Sequence, residues 1–202
     1  MKIFFDLDGT LIDSKQRLYK LFQHLVPSST LTFDAYWNIK RKQIGHSKIL
    51  EQFFNYSTIQ TEQFQKQWLN TIELPEWLAI DQPFQNVSEF LQKLISSQHA
   101  LYIVTSRQSE KLAIQQIHNF GWDKYIKKIL VTNQIIDKEI LIKSCTTVSK
   151  TDWLVGDTGK DIQAGKALGI KTAAVLSGFR NKKILQKYQP DVIENTVTEI
   201  KF

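Results

Sequence analysis

Residues 151–175, TDWLVGDTGKDIQAGKALGIKTAAV, decide the fold. Trp153, Leu154 and Val155 form a short apolar run without polar alternation, the signature of a strand buried on both faces. Gly156-Asp157 interrupts the run, and residues 159–168 read as a helix that Gly169 ends. Lys171 to Val175 is a second buried strand. Strand, helix and strand at this spacing form a crossover unit, so the two strands are expected to lie parallel.

The same rhythm extends upstream. A helix over 86–97 precedes the apolar strand Ala100 to Val104, which stops at Thr105-Ser106. A helix over 109–119 leads through Gly121 to the strand Ile129-Leu130-Val131, and a further helix spans 137–144. Lys2-Ile3-Phe4-Phe5 adds a strand at the start of the chain. This alternation predicts an α/β fold with a parallel sheet covered on both faces. Residues 14–79 differ: they are rich in Gln, Lys and aromatic residues and nearly free of glycine. Leu18, Leu21, Phe22 and Leu25, then Ile49, Phe53 and Phe54, recur at helical spacing. Pro27-Ser28-Ser29 breaks one helix and Ser57-Thr58 starts another. The expected organisation is a core domain of residues 1–13 and 80–202, with a small all-helical domain, 14–79, inserted after the first strand.

Composition narrows the class. With 202 residues, 42% hydrophobic and 23% charged, the chain is neither disordered nor fibrous. Its apolar runs are too short to span a bilayer, so no membrane partner is expected. Met-Lys-Ile-Phe-Phe followed at once by acids is not the pattern of a secretory leader. Together with the single cysteine, Cys145, this points to the cytoplasm. The net charge of +6 is scattered, so it is read as a solvated basic surface rather than a nucleic-acid site. The four histidines, His24, His46, His99 and His118, are isolated and read as surface or core residues, and Trp37, Phe53, Phe54, Trp68 and Trp77 are read as core of the helical segment.

The chemistry lies at strand ends. In open parallel sheets ligands bind beyond the carboxyl ends of the strands, and Asp6, Thr105 and Asp157 each follow a strand. They should converge on one edge, where the helical insertion also departs and can serve as a lid. Asp8 stands two residues after Asp6 and points the same way in extended backbone. Asp161 follows Asp157 by about one turn. Three strand-end carboxylates, a fourth nearby, and no nitrogen or sulfur ligand favour a hard cation, Mg²⁺. A carboxylate beside such an ion can attack phosphorus. Asp6 is the natural nucleophile and Asp8 the acid that protonates the leaving group and later activates water. Thr105 and a lysine can stabilise the transferring phosphoryl group. Gly9 allows a sharp turn whose N–H groups face the phosphate.

DLDGTLIDS at 6–14, the hydroxyl ending YIVTS, and LVGDTGKDI at 154–162 resemble, in order, the motifs of the haloacid dehalogenase-like phosphatases. The resemblance covers the whole chain and is closest to the helical-cap, phosphoglycolate phosphatase-like subgroup. It implies a Rossmann-like three-layer core, Mg²⁺ as cofactor and a small phosphorylated metabolite as partner. It makes Asp6 nucleophile and metal ligand, and Asp8 the acid/base with its carbonyl on the metal. Thr105 and Ser106 fill the second motif, and Asp157 and Asp161 complete the metal site. The motif lysine usually opens a helix before the last acidic motif. Lys138, opening DKEILIK with Ile140 and Leu141 as its apolar face, fits best, and Lys143 is the rival. Arg107 is read either as a solvated helix residue or as a phosphate or substrate contact. A phosphomutase of the same fold and a non-catalytic phospho-aspartate switch are the alternative functions.

Overall fold

The computed structural model describes residues 1–202. The chain opens with strand β1 (Lys2–Phe5) and the short strand β2 (Ile12–Asp13). Five helices follow: α1 (Lys15–Leu25), α2 (Phe33–Arg41), α3 (His46–Phe54), α4 (Thr58–Thr71) and α5 (Pro75–Leu78). Next come β3 (Gln82–Pro83), α6 (Val87–Ser96), β4 (Ala100–Thr105), α7 (Glu110–Asn119), β5 (Ile126–Val131) and α8 (Lys138–Cys145). The chain continues through β6 (Trp153–Gly156), α9 (Gly159–Leu168), β7 (Lys171–Val175), α10 (Lys182–Gln186) and β8 (Val192–Glu194). Two compact units result: Met1–Asp13 with Pro83–Phe202, and Ser14–Gln82.

The first unit is a six-stranded parallel sheet in the order β5-β4-β1-β6-β7-β8, flanked by helices, the α/β Rossmann-like architecture. Alternate residues of each strand feed opposite faces. Ile3, Phe5, Leu101, Ile103, Trp153 and Val155 enter one core cluster, while Phe4, Tyr102, Val104 and Leu154 enter the other. Both faces are therefore apolar, which is why the strands read as uninterrupted apolar runs. Placing β1 between β4 and β6 brings the segments after Phe5, Thr105 and Gly156 together at one edge. β8 and α10 were not legible in the sequence, because Val192–Glu194 is too short to show a period and is only half-buried.

The second unit is all-helical. Ser57 caps α4 in a reciprocal capping box with Gln60, and α1 ends at Leu25, just before Pro27. Leu21, Phe22, Tyr36, Ile49 and Leu50 are fully buried. Phe53 departs from expectation, because it is 52% exposed. His46 is a core residue of this unit. It packs among Phe22, Tyr36, Phe64 and Trp68, and its Nε2 lies 2.8 Å from the Tyr36 hydroxyl. Arg17 is buried and pairs with Asp81 at 3.0 Å, its Nη1 also donating to the Ile72 carbonyl.

Candidate active site

β1 ends at Phe5 and β6 at Gly156, so Asp6 and Asp157 begin the loops at the carboxyl ends of adjacent strands. Thr105 is the last residue of β4, one place earlier than its motif implied, and it is buried. Asp161 sits in the first turn of α9, where its carboxylate accepts from the Thr158 N–H and hydroxyl at 3.1 and 2.6 Å. Asp6, Asp157 and Asp161 each offer a carboxylate oxygen, and these oxygens all lie within 4.8 Å of one another.

Lys138 meets this group from α8. Its Nζ donates to Asp6 Oδ1 at 2.6 Å and to Asp161 Oδ1 at 2.5 Å. The sequence favoured Lys138 over its rival Lys143, and the faces of α8 turn only Lys138 toward these carboxylates. Lys138 and Ile142, four residues apart, are the buried positions of α8, whereas Lys143 is exposed. Ile140, expected on the apolar face, is 57% exposed instead.

Burial raises the Asp6 carboxyl to about 7, with Asp161 and Asp8 adding to the shift and Lys138 opposing it. Asp157 is likewise held well above the ordinary carboxylate range by burial and by its acidic neighbours. Burial alone would lower the Lys138 ammonium, but Asp161 and Asp6 outweigh it and hold it above its usual value. One lysine among three crowded carboxylates leaves negative charge uncompensated, and Asp157 Oδ1 is buried without a hydrogen-bond partner. An all-oxygen donor set with an orphaned anionic oxygen fits a hard divalent cation.

Two features escaped the sequence reading. Thr10, fully buried, donates its hydroxyl to Asp6 Oδ2 at 3.3 Å. Residues 177–179 form the other wall: the Phe179 N–H donates to Asp157 Oδ2, and the Ser177 hydroxyl donates to the Gly9 carbonyl at 2.8 Å. A side chain at Gly178 would put its Cβ 2.0 Å from Asp157 Oδ2. The residue type at 10 follows directly from the DGT motif, whereas nothing local signals the 177–179 loop.

Gly9 and Arg107 require correction. The N–H of Gly9 is engaged by the Ile12 carbonyl at 2.8 Å. What this position supplies is backbone freedom, at φ +88°, and room, since a Cβ would stand 2.6 Å from Asp157 Oδ2. Arg107 is not a solvated helix residue. It is buried and grips Asp8 through Nε to Oδ2 and through Nη2 to Oδ1 at 2.9 Å. Ser106 is exposed and lines a cavity of about 690 Å³ with Thr132, Lys138, Lys160 and Gln163.

A buried carboxylate at a strand end, a lysine upon it and further carboxylates beside it thus lie at one edge of a parallel α/β sheet. Residues 3–175 match the family model for haloacid dehalogenase-like hydrolases. The chain belongs to this family, and it is an enzyme of the phosphatase kind. It is 25% identical to pyrophosphatase PpaX of Halalkalibacterium halodurans, over 98% of this chain and 94% of that protein. Among solved structures it resembles a haloacid dehalogenase-like hydrolase from Streptococcus pneumoniae, with 23% identity, a TM-score of 0.77 and 96% and 93% of the two chains covered. It also resembles a protein described as a predicted phosphoglycolate phosphatase from Haemophilus somnus, with 20% identity, a TM-score of 0.76 and 98% and 94% coverage. No helix is long and apolar enough to cross a membrane.

Proposed function

We propose that the protein is a Mg²⁺-dependent phosphatase that hydrolyses a small phosphomonoester through an aspartyl phosphate. The observation that carries this reading is the junction of Lys138 with Asp6 and Asp161 beside the orphaned oxygen of Asp157. In the first half-reaction an Asp6 oxygen forms a bond to phosphorus as the ester P–O bond breaks, and the leaving alkoxide takes a proton from Asp8. In the second, a water oxygen attacks the same phosphorus, its proton passes to Asp8, and the bond to Asp6 breaks. Lys138 and the Thr105 hydroxyl support the phosphoryl oxygens, and Ser106 stands at the rim. Asp6, Asp157 and Asp161, with the Asp8 carbonyl, are the residues suited to hold Mg²⁺. When bound, Mg²⁺ supplies charge neutralisation for the approach of an anionic phosphate to an anionic nucleophile.

The test is phosphate release from a panel of small phosphomonoesters and inorganic pyrophosphate, with Mg²⁺ and with excess chelator. Pyrophosphate belongs in the panel because the curated relative is a pyrophosphatase. Metal-dependent release from the esters is the expected result. Release from pyrophosphate alone would move the substrate class from esters to anhydrides, and metal-independent release would reject the mechanism. A cytoplasmic setting fits the single unpaired cysteine, Cys145.

A further inference from the structure

β1 and β4 are parallel neighbours with Phe5 opposite Ile103, so the loops that leave them run side by side. Asp8 lies three residues beyond Phe5 and Arg107 four beyond Ile103, and there the two side chains meet. Arg107 presents one edge of its guanidinium: Nε to Asp8 Oδ2, Nη2 to Asp8 Oδ1 at 2.9 Å, and Nη2 also to Gln116 Oε1 at 3.0 Å. Gln116, on α7, is itself buried, so the arginine is anchored from behind by a helix of the core. The Asp8 side chain keeps 17% of its surface exposed while that of Arg107 keeps 4%.

A carboxylate on the loop of residues 6–11 can swing about its χ torsions, and a catalytic acid/base tolerates little such freedom. A planar, two-toothed partner removes it, and a lysine cannot reproduce that geometry. We propose that Arg107, held by Gln116, is the positioning residue for Asp8 and acts on catalysis only through it. Arg107 therefore is not a substrate-phosphate contact. The inference rests on the reading of Asp8 as acid/base, and the experiment separates the two.

The substrate is p-nitrophenyl phosphate, whose leaving group departs without a proton, so only the second half-reaction needs Asp8. Nitrophenolate release and decay of the trapped phosphoenzyme are followed in rapid mixing with Mg²⁺. Arg107→Ala is expected to give one equivalent of nitrophenolate in a burst, followed by turnover slowed about 30- to 100-fold. kcat/KM should stay within about threefold, since the first half-reaction and its ground-state contacts are untouched, and KM should fall together with kcat. Added guanidinium should restore part of the rate. Gln116→Leu, which leaves the ion pair but loosens its anchor, should slow the same step by a smaller factor. This second variant keeps the test informative if Arg107→Ala folds poorly. In an Asp8→Asn background, Arg107→Ala should slow phosphoenzyme decay by less than about twofold more. Equal losses in both backgrounds, or a rise in KM without a burst, would overturn the positioning role. Near-normal turnover by Asp8→Asn alone would instead remove the acid/base role of Asp8, and the inference with it.

Discussion

Lys138 reaches across 132 residues of chain to place its Nζ 2.6 Å from Asp6. The same nitrogen lies 2.5 Å from Asp161, so one ammonium joins Asp6 of the first motif to Asp161 of the last. Replacing it leaves three buried carboxylates with no cation among them. Lys138→Met should lose about 10²- to 10³-fold in turnover, the scale for removing one charged stabiliser of a transition state. Lys143→Met, altering an exposed side chain, should stay within about twofold. Initial rates of phosphate release check both, and a Lys143 variant as impaired as the Lys138 one would reassign the motif.

Binding of Mg²⁺ to the folded chain alone should raise its melting temperature. Saturation at 100 times Kd corresponds to about 2.7 kcal/mol of added stability. Asp157→Asn should abolish this response, because the orphaned Oδ1 belongs to the residue changed. Thermal scans with Mg²⁺ and with chelator read the effect directly.

Gly178→Ala is expected to impair activity and the Mg²⁺ response together, since its Cβ would collide with the Asp157 carboxylate at 2.0 Å. Gly45→Ala is the control. No atom lies within 4 Å of a Cβ there, and replacing this N-cap glycine of α3 should cost about 1 kcal/mol of stability while activity and the Mg²⁺ response stay unchanged. Equal behaviour of the two variants would mean that the 177–179 loop does not hold Asp157 in place.

The helical unit should lose stability in mild acid. Burial holds the His46 pKa well below 6.5, with the Lys40 charge adding to it, so the folded imidazole stays neutral. Below pH 6.5 the unfolded chain takes up a proton that the folded chain refuses. Stability therefore falls as pH drops, by up to about 1.4 kcal/mol per unit, until the folded pKa is reached. His46→Gln should flatten that slope in pH-dependent thermal melts between pH 7 and 5, and an unchanged slope would assign it to other groups.

Arg17 and Asp81 form a buried pair near the two ends of the helical unit. Removing one partner strands the other charge in the interior, so Arg17→Ala or Asp81→Ala should each cost about 3–5 kcal/mol. Chemical denaturation measures it, and a loss below 1 kcal/mol would show that the survivor finds water.

Much of this protein is written locally. The strand–helix rhythm from Ala100 to Val175, the helical character of 14–79 and the four motif acids follow from period and near-neighbour spacing, which the chain carries within a few residues. Asp6 with Asp8, and Asp157 with Asp161, are pairs of that kind. The parallel sheet put the strand ends at one edge, but strand order is not local, and it alone made the loops after β1, β4 and β6 neighbours. Lys138 and Lys143 are equivalent as residue types, but five residues turn a helix by about 140° relative to its start, so only one can share the buried face with Ile142. Arg107 likewise had two readings in the sequence and a third in the fold. Its partner, Asp8, lies on a neighbouring strand's loop, and no periodicity encodes which strands become neighbours.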